Sequence, residues 1–164
     1  MEITMKMITE AFWRVYQRQP EAFAYVKGSG RFPLIRGLVR FYAWESGTIV
    51  IVDLSGLPRG NEPCDGRFFG FHIHEGSICK ESQQEPFADV KGHWNPRDCS
   101  HPFHAGDMPV LEGAGDRAWM AFYTERFRPG QVRGHTVIVH DMPDDYRSQP
   151  AGDSGEKIAC GQIV

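Results

Sequence analysis

The stretch that decides the fold is LIRGLVRFYA at residues 34–43, followed closely by TIVIVDL at residues 48–54. Both segments are short, rich in β-branched and aromatic residues, and bounded by residues that favour turns, which is typical of strands. Residues 45–47 lie between them and are predicted to form a hairpin turn. The stretch therefore predicts two adjacent antiparallel strands.

Outward from this hairpin, the same strand pattern recurs in five further segments. They are Ala22–Lys27, Phe68–His74, Arg117–Tyr123, His135–His140 and Ile158–Val164. We therefore predict an all-β fold, a Greek-key β-barrel or sandwich of about eight antiparallel strands with long loops and a short N-terminal helix.

Two other segments interrupt the strand pattern. Apolar residues spaced three and four apart over Ile8–Gln19 predict an amphipathic helix that Pro20 ends. Residues 75–115 show little periodicity and much Gly, Pro and Asp. A loop of about 40 residues in a small domain is usually either functional or wrongly assigned as a loop. We divide the chain into residues 1–20, a helical segment, and residues 21–164, a single β-domain.

Composition excludes several classes of protein. The 164 residues suit one domain, and 24% charged with 41% hydrophobic residues excludes a disordered or membrane-spanning chain. The net charge of −3, with basic and acidic residues interspersed, predicts no nucleic-acid partner and no membrane partner. The first 20 residues lack the apolar core of a secretory signal, so the default expectation is a cytoplasmic protein.

The four cysteines are Cys64, Cys79, Cys99 and Cys160. An even number allows two disulfides, whereas a reducing compartment would leave free or buried thiols. No pair forms a CxxC motif, which argues against a zinc ribbon.

All seven histidines lie between residues 72 and 140. His72 and His74, in GFHIHE at residues 70–75, leave the same face of a predicted strand and can therefore meet one metal ion. A lone histidine such as His135 is more often a surface or hydrogen-bonded residue than a ligand.

The segment HPFHAGD at residues 101–107 repeats a candidate ligand at every third position: His101, His104 and Asp107. Its proline and glycine disfavour a regular helix, so we expect a loop that folds three ligands around an ion. Two imidazoles and a carboxylate, completed by a fourth nitrogen, suit tetrahedral zinc, and an all-imidazole set suits copper or zinc. Spacing alone predicts metal binding and leaves open whether the site is catalytic or structural.

Five motifs, in this order, resemble the successive signatures of the copper/zinc superoxide dismutase family. They are GFHIHE (70–75), GHWNP (92–96), HAGDMP (104–109), HTVIVHDMPDD (135–145) and GDSGEKIACG (152–161). The resemblance runs from residue 70 to the C-terminus, and the strands from about residue 22 onward fit its first half more loosely. It implies a sandwich-type β-domain with long metal-site loops.

The resemblance also implies two ligand sets that share His93. Copper ligands would be His72, His74, His93 and His140, and zinc ligands would be His93, His101, His104 and Asp107. Asp144 matches a carboxylate that accepts hydrogen bonds from one ligand of each metal. His135 matches no ligand position.

Three further residues acquire expected roles from the resemblance. Lys157 stands where the family usually has an arginine, at the mouth of the copper site. It would attract and dock superoxide as a point charge. Because it lacks the several hydrogen-bond donors of a guanidinium, we expect weaker docking. Cys79 and Cys160 match the family disulfide. Cys64 and Cys99 have no counterpart, and their pairing stays open.

The implied activity is conversion of superoxide to dioxygen and hydrogen peroxide by alternating reduction and oxidation of copper, with a proton delivered through His93. Zinc would organise the loop and tune His93. The implied substrate is superoxide, and whether the protein forms a homodimer is left undecided. Two alternatives remain: a non-enzymatic copper/zinc-binding protein on the same fold, which would not need Lys157, and a copper-only dismutase.

The chain departs from the family pattern in three places. Only two residues separate His101 from His104, and the segment from His140 to Cys160 is shortened, so weaker zinc binding and weaker steering are expected. The N-terminal helical segment and the insertion at residues 61–66 lie outside the general pattern.

Overall fold

The computed structural model describes residues 13–60, 67–82 and 85–164. Within these described residues there are nine strands: β1 (Ala22–Gly28), β2 (Arg36–Trp44), β3 (Gly47–Ser55), β4 (Arg67–Phe69), β5 (Phe71–His74), β6 (Leu111–Gly113), β7 (Arg117–Thr124), β8 (Thr136–His140) and β9 (Lys157–Gln162). Every strand pairing in the described part is antiparallel. The all-β prediction is confirmed.

The β2–β3 hairpin forms where the quoted stretch predicted it. Trp44 pairs with Gly47 across the turn, and Glu45 adopts a φ of 46°, the positive φ that two-residue hairpin turns favour. Val39 pairs with Val52, and both side chains lie fully buried in the core. Alternation of buried and more exposed residues thus fixes which face of this hairpin points inward.

Seven strands form one sheet in the order β5-β8-β9-β1-β2-β3-β7, and β4 pairs with β6 in a second, two-stranded sheet. β4 and β5 follow each other along the chain with only Gly70 between them, and β6 turns into β7 through the Ala114–Arg117 bridge. The small sheet therefore links the two edges of the large one, which curls around a single apolar core.

The predicted single strand over residues 68–74 is wrong in one respect, because it breaks at Gly70. The Gly70 amide donates to the Met142 carbonyl, and the Gly70 carbonyl accepts from the His140 amide. A Cβ at position 70 would lie 2.8 Å from Ser154 Oγ, so only glycine fits this close approach without a shift.

The long predicted loop contains more structure than expected. A 3-10 turn occupies Ala88–Val90, and β6 occupies Leu111–Gly113. Three residues are too few for alternation to reveal a strand. Phe87 and Val90 of the loop pack against Ile138 on the outer face of β8.

Residues 13–16 are helical, and β1 begins at Ala22, after Pro20. Val15 is buried against Tyr42 and Ile51 on the outer face of the sheet. The predicted helix start at Ile8 and the insertion at 61–66, with its cysteine, lie outside the described residues. In the described part of the chain, no helix is long and apolar enough to cross a membrane.

Candidate metal centre

β5 and β8 place three histidines on the outer face of the sheet. Phe71 and Ile73 point into the apolar core, so the intervening His72 and the following His74 point away from it. His140 ends the neighbouring strand β8, just after an irregularity in its pairing with β9. All three imidazoles are buried under the long loop.

The long loop is fixed by pairing with the free edge of β5. The Trp94 amide donates to the Ile73 carbonyl at 2.8 Å, and the Ile73 amide donates to the Gly106 carbonyl at 2.9 Å. These contacts bring His93 opposite His74 and place the loop ligands beside the strand. The loop thereby covers an exposed strand edge. The same backbone hydrogen bonds hold the histidines of β5 and those of the loop in fixed relative positions.

One group of four histidines has ligand nitrogens within 4.8 Å of one another: His72, His74, His93 and His140. The Nδ1 atoms of His74 and His140 donate to the carbonyls of Lys91 and Gly155, at 2.8 and 3.3 Å. This leaves unprotonated Nε2 atoms, which face each other at 3.3 Å. Two converging lone pairs repel each other unless a cation lies between them, so this group suits a metal ion.

A second group has ligand atoms within the same 4.8 Å limit: His93, His101, His104 and Asp107. His93 Nδ1 lies 2.7 Å from Asp107 Oδ1, whereas the Nδ1 atoms of His101 and His104 lie 3.1 and 3.3 Å from its carboxylate without making hydrogen bonds. Three imidazoles and one carboxylate form a donor set typical of zinc.

Four buried imidazole nitrogens have no hydrogen-bond partner among the described residues: His72 Nδ1, His93 Nε2, His101 Nδ1 and His104 Nδ1. An unpaired buried polar atom costs free energy, and native proteins rarely leave several together. The residues present therefore fit two metal ions.

Asp144 connects the two groups. His72 Nε2 donates to Asp144 Oδ2 at 2.7 Å, and His101 Nε2 donates to Asp144 Oδ1 at 2.9 Å. Burial acts to raise the Asp144 pKa, but these bonds and the one from the Tyr146 amide hold it well below its usual range. The carboxylate therefore stays ionised and orients one imidazole of each group.

The protonation states match those that metal ligands require. Burial lowers the pKa of His72 to about 4 and that of His140 to about 3, and it lowers the pKa of His74 well below its usual value. For Asp107, burial acts upward, but the hydrogen bond to His93 lowers the pKa below its usual value. Neutral imidazoles and an ionised carboxylate bind metal without first losing protons.

Lys157 is next to the four-histidine group, since it pairs with His140 in the β8–β9 ladder. Its Nζ lies 3.0 Å from Glu85 Oε1, and the Glu85 side chain is 65% exposed. This acidic partner could not be predicted from sequence, because 72 residues separate Glu85 from Lys157.

The predicted disulfide between Cys79 and Cys160 is present, with an S–S distance of 2.03 Å. It ties the start of the long loop to β9. Cys99 is free, and its backbone bonds to the Asn95 side chain. His135 belongs to neither group; its Nδ1 donates to the Glu75 carbonyl at 2.9 Å.

Comparison with known proteins agrees with this geometry. Residues 35–163 match the family model described as copper/zinc superoxide dismutase. Superoxide dismutase [Cu-Zn] 2 of Aquifex aeolicus is 35% identical, covering 72% of each chain, and that of Deinococcus radiodurans is 31% identical, covering 77% of this chain and 76% of the relative.

Two solved structures share the fold. A double mutant of a SOD-like protein from Bacillus subtilis aligns with a TM-score of 0.69 and 25% identity, covering 85% of this chain and 95% of that one. Cu/Zn superoxide dismutase from Brucella abortus aligns with a TM-score of 0.72 and 21% identity, covering 88% of this chain and all of that one. The chain belongs to the copper/zinc superoxide dismutase family, and it is an oxidoreductase that uses copper and zinc to act on superoxide.

Proposed function

We propose that the two groups hold two different ions and share His93 as the bridge between them. The copper ligands are His72, His74, His93 and His140. The zinc ligands are His93, His101, His104 and Asp107. The observation that carries this assignment is the position of His93 in both groups, with Nδ1 against Asp107 and Nε2 without a partner among the described residues.

The donor chemistry supports which ion goes where. Four imidazoles suit a redox-active copper ion, and three imidazoles with a carboxylate suit zinc, which has no redox chemistry. A copper ion bound there would supply reversible one-electron redox chemistry, through which one superoxide is oxidised to dioxygen and a second is reduced.

The overall reaction consumes two protons, because two superoxide ions give one dioxygen and one hydrogen peroxide. His93 is the proposed proton carrier, since its Nε2 has no protein partner among the described residues while Asp107 anchors the opposite side of its ring. Asp144 holds His72 and His101 in fixed orientations and is not itself a ligand.

Lys157 is proposed to attract superoxide. Its ammonium is a point charge beside the four-histidine group, and the Lys157 side chain is only 18% exposed. Glu85 partly offsets that charge. We expect weaker steering of an anion than an unpaired cation would give.

A homodimer also stays a proposal. The outer face of the sheet exposes aromatic side chains, among them Tyr25 and Trp119 at 68% and 58%. Large exposed aromatic residues are enriched at protein interfaces, which supports self-association. Sedimentation of the full chain at several concentrations tests it: a mass that never exceeds that of one chain would contradict it.

The experiment that tests the function is a superoxide dismutation assay on the copper- and zinc-loaded protein. His140→Ala and zinc-only protein should both lose activity, because each lacks the proposed copper centre. His135→Ala is the matched control, since that histidine belongs to neither group, and it should keep activity. Activity of His140→Ala equal to that of His135→Ala would refute the copper ligand set.

A further inference from the structure

Arg126 contacts the backbone of the segment that carries three of the four proposed zinc ligands, and it is not itself a proposed ligand. Its Nη1 donates to three backbone carbonyls, those of Pro102, His104 and Asp107, at 3.0, 3.1 and 2.9 Å. All three belong to the short segment that carries the loop ligands. A single side-chain nitrogen thus contacts three residues of the segment 101–107.

The backbone of Arg126 is itself fixed. Its amide donates to Thr124 Oγ1 at the end of β7, and the next residue, Phe127, is buried in the core. The Phe127 ring packs against Phe41 and Trp94, with ring centroids 6.2 and 6.1 Å apart. The guanidinium therefore projects from a rigid position toward a loop that has no regular secondary structure.

Converging carbonyl oxygens carry partial negative charge and repel one another. A guanidinium is always charged and only donates, so it offsets this repulsion and holds the three oxygens together. Only two residues separate His101 from His104. Within this short segment the Phe103 amide donates to the Ser100 carbonyl and the His104 amide donates to Asp107 Oδ2. Arg126 adds three contacts from outside the segment.

We propose that Arg126 is a positioning residue for zinc, which sets the spacing of His104 and Asp107 by gathering the carbonyls of residues 102–107. This rests on the zinc ligand set proposed above. Arg126 does not touch the metal ligands' donor atoms, so it acts through the backbone. A shorter side chain at 126 would face the cavity of about 380 Å³ that Arg126 lines with Tyr146, so substitution does not overpack the core.

Arg128 provides a matched control. Its Nη1 also donates to backbone carbonyls, those of Glu45 and Gly47, at 2.6 and 3.5 Å. These belong to the β2–β3 turn and not to the metal loop. A general loss of arginine-to-backbone bonds therefore affects both variants, whereas a loss of zinc positioning affects only one.

The test uses the full chain loaded with zinc and measures zinc release to an excess of a colorimetric chelator. Arg126→Gln should release zinc about tenfold faster than the unmodified protein, the change expected from losing charge-assisted hydrogen bonds. Arg126→Lys should fall between the two, because a shorter ammonium cannot reach all three carbonyls. Arg128→Gln should release zinc at the unmodified rate.

Cobalt in place of zinc gives a second readout. The visible absorption of the cobalt-loaded protein should change in Arg126→Gln and stay the same in Arg128→Gln. Equal zinc release from these two variants would overturn the proposal. If Arg126→Gln does not fold, release from Arg126→Lys at the unmodified rate would overturn it, whereas an unmodified protein that holds no zinc would instead refute the ligand set.

Discussion

The two ligand groups are held in different ways. Three of the four histidines in the copper group lie on strands β5 and β8, whose pleat and pairing fix the side-chain directions. The zinc group lies wholly in the long loop, where direction depends on contacts made by Arg126, Asp144 and the edge of β5. Strand pairing therefore orients most of the imidazoles of the copper group, whereas side-chain hydrogen bonds and loop contacts orient those of the zinc group.

Removing one ligand from each group should give the largest difference in dismutation activity between the two groups. His74→Ala deletes a proposed copper ligand and should lower dismutation at least about 100-fold, more than is typical for the loss of an outer partner of a metal ligand. His104→Ala should abolish tight zinc binding but keep copper, with a loss of activity nearer about tenfold. Metal content by mass spectrometry and the dismutation rate should be measured on the same samples.

Two outcomes of that pair would change the account. Equal loss of activity in both variants would contradict the independence of the copper group. Full activity of His104→Ala without zinc would favour a copper-only dismutase.

Asp144→Asn should lower zinc affinity more than copper affinity, because the zinc group depends more on side-chain hydrogen bonds. The substitution removes the charged acceptor shared by His72 and His101, and zinc affinity should fall about 10- to 100-fold. Copper affinity should fall less, because β5 still directs His72. Competitive titration with each metal measures both.

Asp145→Asn is the control for this prediction. Among the described residues the Asp145 side chain bonds only to Ser148 and the Arg147 amide, so its variant should keep both affinities. An equal drop for copper and zinc in Asp144→Asn would contradict the difference between the two groups.

Gly152→Ala should disturb the same Asp144 hydrogen bonds by steric contact. A Cβ there would lie 2.0 Å from Asp144 Oδ1 and 2.8 Å from His101 Nε2, and φ is +69°. Gly134→Ala has a similarly positive φ of +85° but no neighbouring atom within 4 Å, so it isolates the backbone strain. Both should lose about 1–3 kcal/mol of unfolding free energy.

Only Gly152→Ala should also lose zinc affinity, by several-fold. Chemical denaturation and zinc titration of the two variants measure the two effects separately. The same zinc affinity in both variants would show that the Asp144 position is not critical.

The smallest expected effect is on the attraction of superoxide to the copper group. Glu85→Gln removes the acidic partner of Lys157 and should raise the dismutation rate about two- to threefold at low ionic strength. The gain should vanish at high salt, because screening shortens the range of the charge. Stopped-flow or pulse-radiolysis rates across ionic strengths would measure it.

Glu81→Gln removes the same charge from the same loop. Glu81 accepts a hydrogen bond from the Gly30 amide and makes no contact with Lys157 in the described structure. A rate gain equal to that of Glu85→Gln would show that net charge, and not the contact with Lys157, controls the rate.

Local pattern in the sequence predicted what the backbone controls. Runs of β-branched and aromatic residues between turn-forming residues located β2 and β3 within two residues, and the spacing of two put His72 and His74 on one face. It did not reveal the break at Gly70, because that break follows from the approach of Ser154, a residue far along the chain.

The candidate site divides in the same way. The histidine motifs and the family resemblance supplied the candidate ligands. Arg126 and Glu85 were missed, because their partners are reached only after the loop folds over the sheet. Neither residue carries a spacing or motif that a sequence alone could expose.

The most direct test of the central claim is crystallography of the metal-loaded protein with anomalous diffraction at the copper and zinc edges. Two separate metal positions are predicted: copper among the four histidines, zinc beside Asp107, and the His93 ring between them. A single shared metal position, the two metals exchanged, or His93 bound to only one ion in the oxidised protein would contradict the account.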